Sequence, residues 1–361
     1  MDGQKRVGRP EIISIMILKN SLNATRCGKL FNSEMNTYSL MLIKRMSSVI
    51  MSLTRRQSAW VNSPSETKRS AFLSSKCSAS NNFNNWLVGV TDGDGCFYFN
   101  KTKNGSWTFS WQIAQSSYNL RLLYFIKSKL KIGTVNVSSN KKSMALYRVR
   151  NRTHLIKYIL PIFDDHLLLT SKYFTYNFFR KAILIANDSN ITKEEKNLLL
   201  SNLKLKSIKL PKSYISPAWA KISYKLRSKN DAKRIVSKAW LIGFVEAEGS
   251  FYIVKKDSER LTHAFEITQK LDFIVLKAIA IIFDLKVTKK KTYFTVVTTN
   301  SKAIKKISDY FFKTMKGMKS LEYRVWARSF NKRKRGFEYL LKIRDLMRNI
   351  RSIRFDKNYK M

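Results

Sequence analysis

The chain has 361 residues, 44% of them hydrophobic, which is enough to bury a substantial core and to hold two ordinary domains or two fused repeats rather than a disordered polymer. Against 24 Asp and Glu stand 69 Lys and Arg, a formal charge of +45 that exceeds what solubility needs and suits a polyanionic, nucleic-acid partner. No run of 18 apolar residues occurs, so neither a spanning helix nor a membrane partner is expected.

Cys27, Cys77 and Cys96, with His154, His166 and His263, are scattered without CxxC or HxxxH spacing. That disfavours zinc fingers, His-ligated nuclease centres and a disulfide framework, and it fits a reducing compartment. A metal, if used, should therefore sit on carboxylate oxygens, which points to Mg²⁺.

Residues 1–81 are rich in Ser, Asn, Lys and Arg and poor in acids, with a short periodic stretch near Tyr38 to Leu53. They read as a poorly ordered basic extension, either an organellar transit peptide or read-through from an upstream exon. From Asn82 to about Ala186, and again from Ala232 to about Phe330, one order of signals recurs: a helix ending in glycine, an alternating hairpin, a helix, a second hairpin, a helix. That recurrence marks an internal duplication.

In the first copy Phe97 and Phe99 alternate with Cys96, Tyr98 and Asn100, and the chain turns at Asn104-Gly105 into Trp107 to Gln115. In the second, Phe251 and Ile253 alternate with Ser250, Tyr252 and Val254, and the return strand runs from His263 to Gln269. Helices are expected over Leu120 to Leu130 and Phe273 to Phe283. The first repeat and its following helix occupy 82–206, where Thr192-Lys-Glu-Glu195 is a capping-box signature opening a helix to about Lys206. Residues 207–231, with Pro211 and Pro217, read as a linker, and 232–330 as the second repeat. The last stretch, 331–361, has a basic amphipathic pattern and reads as a solvated helix and tail.

The duplicated segment is Trp86-Leu-Val-Gly-Val-Thr-Asp-Gly-Asp-Gly95, matched 154 residues later by Trp240-Leu-Ile-Gly-Phe-Val-Glu-Ala-Glu-Gly249. Gly89 and Gly93 stand four apart, as do Gly243 and Ala247, so each helix presents a stripe of minimal side chains on one face. Two such stripes allow close backbone packing, which brings together the acids that follow, Asp94 and Glu248. Two carboxylates that near each other call for a cation, and a bridging divalent metal would supply a Lewis acid and an activated water for phosphodiester hydrolysis. A helix C-cap with a polar turn would explain one copy of this pattern but not two matched copies. Asp92 and Glu246, inside the helices, read as residues that hold the helix end or partner a cation, and Trp86 and Trp240 as core anchors.

With these two segments the chain resembles the LAGLIDADG homing endonuclease family in its monomeric two-repeat form. The likeness runs from Asn82 to about Phe330. Thr91 and Gly93 depart from the name-giving letters, and Glu248 replaces the usual Asp. The resemblance implies an α+β fold of two pseudo-twofold αββαββα repeats, with antiparallel sheets forming a DNA-binding saddle and the motif helices at the centre. It implies a site-specific, Mg²⁺-dependent double-strand DNA endonuclease that cuts at an intron insertion site and acts as a monomer on a long target.

By the same resemblance, Asp94 and Glu248 are metal ligands, with the Gly93 and Ala247 carbonyls adding to the set. Gln115 and Gln269 end the second strand near the scissile phosphates. Lys172 and Lys319, at the start of each last helix, stabilise charge or order water. DNA contacts fall on the polar alternates Tyr98, Asn100, Thr102, Ser110 and Gln112, on Arg148 and Arg150, and on Tyr252, Lys256 and Glu266. The same fold also occurs in group I intron maturases, which leaves intron RNA as an alternative partner. Retention of both acids favours cleavage. The Asn-, Lys-, Ile-, Phe- and Tyr-rich usage fits an AT-rich organellar genome, with the mitochondrion as the expected setting.

Overall fold

A computed structural model describes residues 68–137, 144–332 and 336–352, with side-chain surroundings from residue 80 onward. The expected extension therefore lies outside the described residues up to position 67, and the stretch near Tyr38 to Leu53 with it. The first motif helix, α1 (Lys68–Asp94), begins at Lys68, well upstream of the expected start near Asn82.

From α1 the chain passes directly into β1 (Gly95–Lys101), turns, and returns as β2 (Trp107–Ser116). Gly105 supplies the positive φ of 77° that the Asn-Gly turn requires. There follow α2 (Leu120–Leu130), β3 (Thr134–Val137), β4 (Met144–Val149), helical turns ending in α3 (Leu160–Asp165), and α4 (Lys172–Asn187). After α5 (Lys193–Ile208) and the short α6 (Lys229–Ile235), the order repeats. It runs through α7 (Lys238–Glu248), β5 (Gly249–Lys255), β6 (Leu261–Gln269), α8 (Phe273–Phe283), β7 (Thr288–Lys289), β8 (Phe294–Thr298), α9 (Ser301–Tyr310) and α10 (Lys319–Asn331). A final helix, α11 (Phe337–Ser352), closes the described chain.

Both sheets are antiparallel and share one topology, β1-β2-β4-β3 and β5-β6-β8-β7, as expected of an α+β fold with a duplicated unit. Alternation decides the faces. Phe97, Phe99, Trp111, Ile113, Tyr147 and Val149 are buried under helices in the first sheet, and Phe251, Ile253, Phe265 and Ile267 in the second. Each buried aromatic or branched side chain contributes about 2 kcal/mol by leaving water. Aromatic clusters fix the helices that follow: Phe97 meets Phe163, Tyr176 and Phe179, and Phe251 meets Phe311, Tyr323 and Trp326.

Two segments pack more tightly than their composition suggested. In the 207–231 segment Trp219 is fully buried, and its indole donates to the Leu169 carbonyl at 2.9 Å, so this stretch is a packed crossover. The final helix buries Leu340, Met347 and Ile350, and Arg351 reaches Glu322 at 2.7 Å and the Phe251 carbonyl at 2.8 Å. It is thus no solvated face; its apolar stripe finds the second half. Of the expected capping box at Thr192, the hydroxyl accepts from Glu195 N at 3.3 Å. A complete box forms instead at Ser228 and Asp231.

Candidate active site

The site begins with glycine. A Cβ placed at Gly89 would overlap the Trp240 carbonyl oxygen, and one at Gly243 the Trp86 carbonyl oxygen, so α1 and α7 touch backbone to backbone. A Cβ at Gly93 would collide with that of Ala247 and stand 3.2 Å from Glu248 Cγ. The small-residue stripes thus set Asp94 and Glu248 side by side where the two helices end.

The charge consequence is visible at Asp94. Burial pushes its carboxyl up to about 6, and the neighbouring Glu248 charge pushes the same way. Lys172, Lys319 and a hydrogen bond from Gln115 pull against that rise without cancelling it. Gln115 Nε2 donates to Asp94 Oδ2, while among the described residues neither the Glu248 carboxylate nor the Gln269 amide has a hydrogen bond. The two glutamines therefore do not play matched parts in this geometry: Gln115 is brought to its acid and Gln269 is not.

Lys172 and Lys319 both arrive, each as the first residue of its helix, α4 and α10. Lys172 Nζ donates to the Gly93 carbonyl and, at 3.2 Å, to Thr91 O. Lys319 Nζ donates to the Gly249 carbonyl. Burial lowers the pKa of both ammonium groups, and the surrounding acids offset part of that. The Gly93 carbonyl, expected on a metal, is thus occupied by an ammonium.

The inner acids are wired across the helix pair. Trp240 Nε1 donates to Asp92 Oδ2 at 2.8 Å, and Trp86 Nε1 to Glu246 Oε2 at 2.8 Å. Asp92 also accepts from Leu169 N, Thr170 N and the Thr170 hydroxyl. Glu246 accepts from Lys316 N and Gly317 N. Each inner acid therefore caps the turn that leads into its own half's lysine. The partners stand 148 and 160 residues apart, so no local pattern announces the exchange.

On the open face of the first sheet Tyr98 is 42% exposed, Asn100 is half-buried, and Gln112 Oε1 accepts from Arg148 Nε at 3.1 Å across paired strands. Arg150 is exposed. Thr102 spends its hydroxyl on Ser106 in the turn. Ser110 shares the face but is only 5% exposed, covered by its neighbours rather than presented. In the second sheet Glu266 accepts from the Tyr252 hydroxyl at 2.9 Å and from the Thr295 hydroxyl at 3.1 Å, so the acid on this face is tied down; Lys256 is exposed. Register also puts exposed Thr134 and Asn136 beside Arg148 and Leu146. Sequence reasoning missed these two because a four-residue strand carries no readable alternation. It also missed Lys204, whose ammonium lies 5.5 Å from the Tyr98 ring.

The donor set suits a hard divalent cation. Two crowded carboxylates, one without a hydrogen bond, present oxygens only, and among the described residues no group of three or more His, Cys, Asp or Glu competes for that role. Two carboxylates leave coordination positions open for phosphate oxygens and water.

The same architecture is found in known proteins. A solved structure, I-SmaMI bound to an uncleaved DNA target in the presence of calcium ions, superposes with a TM-score of 0.61 at 24% identity, covering 74% of this chain and 98% of that one. The probable intron-encoded endonuclease Cox1-I1b of Schizosaccharomyces pombe is 39% identical over 299 residues, 79% of this chain and 73% of that protein. The uncharacterized mitochondrial protein RF1 of Saccharomyces cerevisiae is 31% identical over 170 residues, 47% of this chain and 32% of that one. The LAGLIDADG endonuclease model matches residues 87–183 and 241–330, the two stretches that fold into the repeated halves. With its paired motif helices, duplicated sheets and this match across both halves, the chain belongs to the LAGLIDADG endonuclease family.

Proposed function

We propose that this protein is a site-specific double-strand DNA endonuclease that hydrolyses one phosphodiester in each strand at an intron insertion site. The observation that carries the reading is the pair of carboxylates, Asp94 and Glu248, forced together at the ends of two helices in backbone contact. We assign the cation held there as Mg²⁺, since every donor is oxygen, and the calcium present with I-SmaMI is a hard cation of the same kind. When bound, it would act as a Lewis acid on the scissile phosphate and lower the pKa of a water.

The chain's own residues do the rest. Asp94 and Glu248 hold the oxygen set, each serving one strand. Gln115 fixes the orientation of Asp94 by donating to its Oδ2. Lys172 and Lys319 keep positive charge beside the acids, where it offsets the negative charge that grows on the phosphate during attack. Arg148, Arg150, Lys256 and Lys204 supply phosphate contacts, while Tyr98, Asn100, Gln112, Thr134 and Asn136 offer hydrogen bonds to base edges. A long duplex target, a monomeric protein and a mitochondrial setting complete the reading. The setting rests on the AT-rich residue usage and on the mitochondrial origin of RF1. Among the described residues no helix is long and apolar enough to cross a membrane.

The test is cleavage of a duplex carrying the intronless host site, with Mg²⁺, against the intron-containing site. Both strands of the first should be cut and the second spared. Asp94→Asn and Glu248→Gln should each reduce cutting by at least about a thousandfold while DNA affinity stays within a few-fold. Intact protein that leaves the intronless site uncut while improving splicing of intron RNA would overturn the endonuclease reading in favour of the maturase one.

A further inference from the structure

The turns that deliver the two lysines are each held by a residue from the other half. Asp272, first residue before α8, accepts from Ser171 N at 2.7 Å and from the Ser171 hydroxyl at 2.9 Å. Ser171 immediately precedes Lys172. The matched position in the first half is Asn119, first residue before α2 and 8% exposed. Its Oδ1 accepts from Met318 N at 2.8 Å, and Met318 immediately precedes Lys319. Gly317 makes room for this approach, since a Cβ there would stand 2.5 Å from Asn119 Oδ1.

The two contacts are alike in place and different in reach. Asn119 Nδ2 also donates to Gln115 Oε1 at 2.9 Å, and Gln115 in turn donates to Asp94. An amide can accept and donate at once, so an unbroken chain of hydrogen bonds runs from the acid of the first half to the lysine turn of the second. Asp272 accepts only and takes both of its contacts from Ser171, while Gln269 has no side-chain hydrogen bond among the described residues. Among the described residues no such chain links Glu248 to Lys172.

We propose that Asn119 and Asp272 are positioning residues that set the lysine of the opposite half, and that Asn119 additionally couples the two strand cuts through Gln115 and Asp94. The proposal rests on the lysine roles given under Proposed function. Its physical basis is that an ammonium misplaced by about 1 Å forfeits much of its effect on the transition state, on the order of a hundredfold in rate, while the DNA-binding sheets are untouched.

The test uses the full chain and a cognate duplex labelled differently on its two strands, with single-turnover rates read strand by strand. Lys319→Met should slow one strand and Lys172→Met the other. Asn119→Ala should slow the strand that Lys319→Met slows, by at least about tenfold with DNA affinity unchanged, and Asp272→Ala should slow the Lys172 strand. Asn119→Asp keeps the acceptor for Met318 N and should recover most of the rate on the Lys319 strand. Losing the Gln115 donor, it should still lengthen the interval between the two cuts. If Asn119→Ala folds poorly, Asn119→Ser, too short to reach Met318, carries the same expectation. Slowing of both strands alike, or slowing that merely follows the thermal midpoint, overturns the positioning role while leaving the lysine assignment standing. Lysine variants that slow neither strand overturn that assignment and this proposal together.

Discussion

Asp92 shows how much one buried side chain carries here. Two oxygens take four donors, from Leu169, Thr170 twice and Trp240, so the charge is fully solvated by protein. Burial nevertheless pushes its carboxyl from the ordinary 3.8 up to about 6, with those hydrogen bonds pulling the other way. Because the folded value lies above the unfolded one, the group favours folding most below its ordinary value. That contribution is lost as pH rises through about 6, a swing of roughly 3 kcal/mol. Asp92→Asn cannot titrate and turns an amide N–H toward a donor, so it should cost about 1–3 kcal/mol at neutral pH. Denaturant unfolding of both proteins across the acid range should show the gap between them widening as pH falls through about 6. A constant gap would mean Asp92 is ionised throughout.

Helices α1 and α7 work as a pair only because their contact stripe lacks side chains. Gly89→Ala must push a methyl group into the Trp240 carbonyl, an overpacking expected to cost about 1–3 kcal/mol. It should also move Asp94 away from Glu248. The thermal midpoint should drop, and cleavage should fall further than DNA affinity does; equal loss of both would show that the helix spacing has no special bearing on the cut. This element was readable in the sequence because its logic is local: glycine spacing, then acid, then glycine, written twice. The strands were readable for the same reason, since Phe97, Phe99, Phe251 and Ile253 mark the buried face by alternation. Helices Leu120–Leu130 and Phe273–Phe283 begin and end where the pattern put them. Illegible were the contacts between distant segments. Nothing near Trp86 points to Glu246, nothing near Asn119 to Met318, and the basic pattern of α11 hid the three side chains it buries against the second half. Matched glutamines were misleading in a related way: symmetry of sequence promised symmetry of contact, and only Gln115 reaches an acid.

For the molecule as a whole, the charge of +45 sets how it meets DNA. A protein making about 6–10 phosphate contacts loses roughly 10³–10⁵ in affinity between about 50 and 200 mM salt, and this chain should fall in that range. Replacing Arg150, exposed at the end of β4, with Gln should flatten the slope of log affinity against log salt by about one. An unchanged slope would remove Arg150 from the phosphate contacts. The crossed indole contacts have a larger consequence for what this protein is. Trp86 completes the buried acid of the second half, and Trp240 that of the first, so a half expressed alone would lose the indole donor that its inner acid uses. Neither half is therefore a spare copy of the other. A chain divided in the crossover between α5 and α6 would yield two fragments that fold by finding each other, and activity would return only by complementation. Duplication here produced a molecule whose parts are foreign to solvent until they are joined.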